Sequence, residues 1–343
     1  MTSFKNYFAL FFIVLLASCK PGKKQEADAP FLTAKEVVAL NQVIYKDSTS
    51  AAIARYTPDY EALFVPTAVE GNYAIIAKKK TTEQYALVIR GSVIEFSNEG
   101  FQNFILQDFN IFRMKPWNYA DTVKEAHISL GAWTGFQNLL RLKDTRSGLT
   151  IKEFIEQKIP AHASIVITGH SLGGNLAYPM AGYLKKEIKK EQQKNLQLIT
   201  FGAPAAGNAA FVKDLEGKFP EGERYAAKLD IAPAFPDLER ISELAKLTGL
   251  DSVLNIGKLN LGGISSEVNT GNLLSIAGEI LKKTNIINEG NQYMQSSLHL
   301  RVLDNAADSL PQTALSADAI FERAYQFHRV DMYAQLLGGK ALE

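Results

Sequence analysis

Ser171 lies in Gly169-His170-Ser171-Leu172-Gly173-Gly174, directly after the apolar run Ile165-Val166-Ile167-Thr168 and directly before a helical pattern that extends to Lys190. A G-x-S-x-G string alone recurs by chance. A buried strand, a sharp turn and an immediate helix together are what a nucleophile elbow requires. Glycine at 169 and 173 removes the Cβ atoms that would collide in such a turn, and a helix N-terminus stabilises negative charge developing beside the serine. The chemistry this points to is acyl transfer. A serine hydroxyl is a weak nucleophile at neutral pH, so a base must take its proton and a carboxylate must orient that base. A glycine-rich turn that only packs, or only binds an anion, is the competing reading.

On this kind of elbow the acid and then the histidine follow the serine along the chain. Of the five histidines, His127 and His162 precede Ser171, and His170 lies inside the elbow, where a packed or hydrogen-bonded ring is expected. His299 and His328 remain. His299 has apolar neighbours on both sides, which suits a core or edge position. Asp230 follows the strand-like Tyr225 to Leu229 and precedes Pro233, which places it in a loop at the sheet edge; Asp237 reads better as a capping carboxylate. Two oxyanion donors are legible: the backbone N–H of Leu172, and Ser92 at the end of the apolar run Tyr85 to Ile89. Ser92 also reads as an ordinary turn residue.

These residues need a scaffold. Short apolar runs at Tyr73 to Ala77, Tyr85 to Ile89, Ser164 to Thr168, Leu196 to Phe201 and, more weakly, Tyr225 to Leu229 read as buried strands. Helical patterns such as Ile151 to Lys158 and Leu172 to Lys190 separate them, and this alternation predicts an α/β fold with a mostly parallel sheet and helices on both faces. Thr33 followed by Glu36 is a capping-box pattern, with Val37, Leu40, Val43 and Ile44 at helical spacing behind it. From Pro236 to Leu303 the texture changes to Leu and Ile scattered among Gly, Asn, Ser and Lys. Residues 237–303 read equally as a helical cap inserted before the histidine or as peripheral helices of the same domain.

A chain of 343 residues that is 46% hydrophobic can bury a large core without disulfides. Lys plus Arg (37) against Asp plus Glu (36) leaves a formal charge of +1, which gives no reason to expect a nucleic-acid partner. No His or carboxylate cluster has metal-ligand spacing, and no cofactor motif is present in the sequence. Oligomeric state leaves no trace in it. The first residues differ from the rest: Lys5, then the apolar stretch Tyr7 to Ala17, too short to span a bilayer comfortably. Leu16-Ala17-Ser18-Cys19 closes it with the chain's only cysteine and resembles the lipobox of bacterial lipoproteins. The resemblance implies a signal peptide over 1–18, acylation of Cys19, a polar tether over 19–30 and a folded domain over 31–343. It also implies a lipid-anchored protein of the bacterial cell envelope. Lys20 after the cysteine, rather than Asp, resembles the Gram-negative sorting pattern for the outer membrane, which implies a place there facing the periplasm or the cell surface.

Several blocks taken together resemble the class 3 lipases, the family of fungal triacylglycerol lipases and their bacterial and plant relatives. They are Leu87-Val-Ile-Arg-Gly-Ser92, Gly169 to Gly174, Thr200-Phe-Gly-Ala-Pro204 with Gly207-Asn208, and Arg224 to Pro236 with Asp230-Ile-Ala-Pro233. The resemblance implies an α/β-hydrolase fold with Ser171, Asp230 and His328 as the triad, because His328 in Phe327-His-Arg-Val-Asp-Met-Tyr333 matches the family's pattern of a catalytic histidine with a tyrosine soon after it. It also implies a lid over Phe101 to Phe109, where Phe101, Phe104, Ile105 and Phe109 would line an acyl groove; aromatic stripes at helical spacing are more often core. One block departs from the pattern: Ala132-Trp133-Thr134-Gly135-Phe136 has Trp where the family often has His, a change that bears on packing and not on the triad.

The expected function is hydrolysis of carboxylic esters, lipid acyl esters first, through an acyl-enzyme. Short-chain or feruloyl-type esters are the alternative within that chemistry. A lipoprotein that binds lipid without turnover is the alternative outside it.

Overall fold

The computed structural model describes residues 31–91, 113–121, 124–250, 259–261, 264–266, 293–305 and 316–342. The expected leader and tether over 1–30 with Cys19, the oxyanion candidate Ser92, the aromatic set Phe101, Phe104, Ile105 and Phe109, and most of 251–292 lie outside the described residues.

The central sheet has seven strands in the spatial order Tyr60–Phe64, Ala74–Lys79, Gln84–Ile89, Ser164–His170, Leu196–Phe201, Glu223–Ala227, Leu300–Leu303. The first three pair antiparallel, and every neighbour from Gln84–Ile89 onward is parallel. Parallel pairing requires crossovers, and the crossover helices cover both faces, so the middle strands read as unbroken apolar runs. Successive side chains point to opposite faces. Leu87, Ile165, Ile167 and Leu198 pack on one side against helices Leu130–Arg141, Ile151–Lys158, Leu172–Glu187 and Ala209–Lys218. Val88, Val166, Ile199 and Phe201 pack on the other against helices Ala34–Val43 and Val330–Leu336. Each such fully buried side chain contributes roughly 1.5–3 kcal/mol.

Register decides where the strand ends fall. Ile89 is opposite Gly169, Gly169 opposite Thr200, and Thr200 opposite Arg224. Gly91, Ser171 and Gly202 therefore leave the sheet at one level, at its carboxyl edge.

The capping box forms as the pattern predicts: Glu36 N–H donates to Thr33 Oγ1 at 3.4 Å, and the Glu36 carboxylate accepts from Thr33 N–H at 2.8 Å. That helix also buries two amides. Asn41 donates to Thr168 Oγ1 at 2.9 Å, and Gln42 donates to Asp331 Oδ1 at 2.6 Å and to the Lys340 carbonyl at 3.0 Å. It thus ties the nucleophile strand to the C-terminal helices.

Of the span 237–303, the described ends join the body. Asp237 caps helix Leu238–Thr248 by accepting from Arg240 N–H at 2.9 Å. Tyr293–Met294 pairs with Gly207–Asn208 in a four-stranded antiparallel sheet that continues through His127–Ser129 to Met114–Pro116, and Leu300–Leu303 is the parallel edge strand of the central sheet. Leu259–Leu261 and Ile264–Ser266 form a separate hairpin. His299 leads into that edge strand and is exposed, so of the core and edge readings the edge one holds and the core one does not. Trp133 is half-buried, its ring 6.1 Å from that of Phe136.

Candidate active site

Ser171 joins strand Ser164–His170 to helix Leu172–Glu187 with φ 59° and ψ −128°, a backbone conformation that L-residues rarely adopt. The turn closes because its neighbours lack side chains. A Cβ on Gly169 would run into the carbonyl of Gly173, and one on Gly173 would run into the carbonyl of Ile89 and lie 2.8 Å from Gly91 N. The strained residue is held on both sides: Ser171 N–H donates to the Phe201 carbonyl at 2.9 Å, and its own carbonyl accepts from Asn175 N–H at 3.0 Å.

The structure brings Ser171, His328 and Asp230 together. Ser171 Oγ is 2.7 Å from His328 Nε2, and His328 Nδ1 is 2.9 Å from each oxygen of Asp230. All three are buried, at 6%, 4% and 2% exposure, so water does not screen these contacts. Nδ1–H donates to the carboxylate, which leaves the Nε2 lone pair to accept the serine proton. His328 is the last residue of helix Ala317–His328, and a break at Arg329 turns the chain into helix Val330–Leu336. Asp230 sits in the turn after strand Glu223–Ala227, its N–H bonded to the Ala227 carbonyl at 3.0 Å.

Two further residues hold the acid. Tyr333 donates its hydroxyl to Asp230 Oδ2 at 2.6 Å and accepts from Ala227 N–H at 3.0 Å, while Ala232 N–H donates to Asp230 Oδ1 at 2.9 Å. Burial, with the Asp230 charge beside it, pushes the Tyr333 phenol well above its ordinary value, so it stays a neutral donor. Gly202, at φ 56°, has no room for a side chain: a Cβ there would lie 2.9 Å from Asp230 Oδ2 and 3.0 Å from the Tyr333 hydroxyl. The pattern of a histidine with a tyrosine after it pointed to Tyr333. Its task, solvating the carboxylate, is a long-range contact that no local pattern encodes.

Leu172 opens its helix, where the first backbone N–H groups have no intrahelical partner. Gly91, just before Ser92, is packed against the elbow and donates its N–H to the Tyr45 hydroxyl at 3.1 Å. His170 does not serve the serine as base. Its ring lies tilted to that of His328, with centroids 4.8 Å apart, and bonds to Tyr45 and to the His328 backbone, in line with the packed role expected for it. The sequence alone does not point to Tyr45, since a tyrosine two residues past the end of helix Ala34–Val43 carries no local signal. Among the described residues no group of three or more His, Cys, Asp or Glu could hold a metal ion.

The sheet with its elbow has the α/β-hydrolase fold. Residues 88–239 match the family model for Lipase (class 3). Over 118 residues, 34% of this chain, the sequence is 30% identical to lipases of Rhizopus niveus and Rhizopus oryzae, and the match spans 29% of the length of those relatives. In three dimensions the chain is similar to M37 lipase with a TM-score of 0.62 at 21% identity, covering 89% of this chain and 94% of that one. At that identity the likeness is one of fold.

Proposed function

We propose that the protein is a serine hydrolase of carboxylic esters, acting on lipid acyl esters. The observation that carries the reading is the buried chain Ser171 Oγ, His328 Nε2, His328 Nδ1, Asp230, closed at 2.7 and 2.9 Å. The class 3 match over 88–239, which contains both Ser171 and Asp230, supports it.

Ser171 Oγ attacks the ester carbonyl carbon while His328 Nε2 takes its proton, and Asp230 stabilises the imidazolium that forms. The oxyanion is met by Leu172 N–H and by Ser92, in the roles assigned to them from sequence. Collapse breaks the bond to the alcohol, which leaves with the proton from His328. Water then attacks the acyl-serine with His328 again as base, and the acid is released. A protein that only binds lipid has no use for a strained serine hydrogen-bonded to a buried His–Asp pair, so non-catalytic binding is the weaker reading.

Phe101, Phe104, Ile105 and Phe109 are proposed to form the acyl groove. Each methylene they bury would contribute about 0.8 kcal/mol, or roughly fourfold in kcat/KM. A series of p-nitrophenyl esters from acetate to palmitate, with a feruloyl ester alongside and run below and above the micellar threshold, tests this. The reading expects a rate that climbs with acyl length and rises above the threshold. A peak at acetate or at feruloyl would instead assign a short-chain or feruloyl-type esterase.

The proposal extends to location: a mature chain beginning at Cys19, acylated there and held at the bacterial envelope, with the membrane as partner and as the surface that presents substrate. Stable anchoring takes more than one acyl chain, which a serine in place of Cys19 could not carry as a thioether. Cys19→Ser should move the protein from the membrane pellet to the soluble fraction; retention after salt and carbonate washing would mean a different anchor.

A further inference from the structure

His170 stands beside the nucleophile, 5% exposed, yet takes no part in the proton transfer described above. Its Nε2 lies 2.6 Å from the backbone carbonyl oxygen of His328, and its Nδ1 lies 3.2 Å from the Tyr45 hydroxyl. A carbonyl oxygen only accepts, so Nε2 carries a proton. Burial, and after it the neighbouring His328, hold the imidazole well below its ordinary value, so the ring is neutral and Nδ1 presents a lone pair. Tyr45 must then donate to it. The His170 backbone carbonyl is a longer second acceptor for the same hydroxyl at 3.4 Å, and the Tyr45 oxygen itself accepts from Gly91 N–H at 3.1 Å.

The bonds therefore run in one direction: Gly91 N–H to Tyr45, Tyr45 O–H to His170 Nδ1, His170 Nε2–H to the His328 carbonyl. The two ends of this chain are the two halves of the site. Gly91 is the residue before Ser92, and the carbonyl at the other end belongs to the base. His328 closes its helix just where the chain breaks at Arg329.

We infer that Tyr45 and His170 are positioning residues: the His328 carbonyl and the Tyr45 hydroxyl together fix the Nε2–H tautomer of His170, and that tautomer holds the His328 backbone so that the base stays within reach of Ser171. The kinetic consequence rests on the ester-hydrolase reading; the tautomer does not.

Tyr45→Phe keeps the aromatic ring, whose edge contact with His170 has a centroid distance of 6.1 Å, and deletes only the hydroxyl. With active sites counted by phosphonate titration, kcat per titrated site on a p-nitrophenyl ester should fall about tenfold, the equivalent of one hydrogen bond, with KM changed less than about twofold. ¹⁵N-histidine NMR of the full chain should show His170 as the Nε2–H tautomer in the wild type and as a mixture of tautomers in Tyr45→Phe. His170→Gln, whose amide can still donate to the His328 carbonyl, should keep a rate within about tenfold of wild type, whereas His170→Phe should lose roughly a hundredfold or more. An unchanged kcat per titrated site in Tyr45→Phe, with only the unfolding midpoint lowered, would make Tyr45 part of the scaffold and overturn the inference. So would a wild-type His170 protonated at Nδ1. If the wild type turned over no ester, the ester-hydrolase reading would fail, and the NMR comparison would still decide the tautomer.

Discussion

Tyr333→Phe removes one oxygen atom from a fully buried site and leaves the ring contacts in place. Two things are lost. The first is a 2.6 Å hydrogen bond to the Asp230 carboxylate, of the charge-assisted kind that contributes about 1.5–3 kcal/mol. The second is the acceptor for Ala227 N–H, and a buried donor left unsatisfied costs about 1–3 kcal/mol. Because the two share one atom and the turn can relax, the expected loss is about 2–5 kcal/mol in unfolding free energy. Asp230 keeps the Ala232 N–H and His328 Nδ1, so the base stays oriented and kcat per titrated site should fall by less than roughly tenfold. Guanidinium unfolding gives the first number, and ester turnover normalised to phosphonate-titrated sites gives the second. A stability loss under about 1 kcal/mol would refute the claim that the phenol solvates the buried carboxylate.

His328→Ala should cost several orders of magnitude in turnover, whereas His299→Ala, at an exposed position beside an edge strand, should alter stability and rate by little, within about 0.5 kcal/mol; steady-state kinetics on the two variants checks this. Glu36 gives a pH dependence. Burial alone would raise its carboxyl, but the hydrogen bonds from Lys79, Thr33 and Tyr60 outweigh that and lower it from 4.5 to about 2. A folded-state value below the unfolded one stabilises the fold above 4.5, and that contribution is lost as pH falls towards 2. The gap in unfolding midpoint between wild type and Glu36→Gln should thus be constant near neutrality and close between those two pH values; a gap that persists at the acid end would contradict the assignment.

The parallel strands were legible because they are buried on both faces: Ile165 to Thr168 and Leu196 to Phe201 carry little polar interruption, and the helix Ile151–Lys158 has the bounds its periodicity predicts. Leu300–Leu303 was not legible. As an edge strand it leaves Leu300 and Val302 at 45% and 60% exposure, so no apolar run marks it. Tyr60–Phe64 was missed as well, being the opposite edge. At the site, the elbow is a local event, written in consecutive residues with glycines where the turn has no room. Asp230 and His328 were reachable through chain order and through resemblance to a family. The Tyr45–His170 chain and the phenol on Asp230 join residues 125 and 103 positions apart, and only the folded sheet edge brings them together.

The central claim is that Ser171 is the nucleophile of an ester hydrolase, and labelling with a fluorophosphonate followed by peptide mass analysis tests it most directly. The wild type should carry one adduct, on the peptide that contains Ser171. Ser171→Ala should lose both the adduct and the ester turnover while keeping its far-UV circular dichroism and unfolding midpoint, because only a small polar group leaves a buried turn. An adduct on any other residue, or an Ser171→Ala variant that still hydrolyses esters at the wild-type rate, would contradict the account.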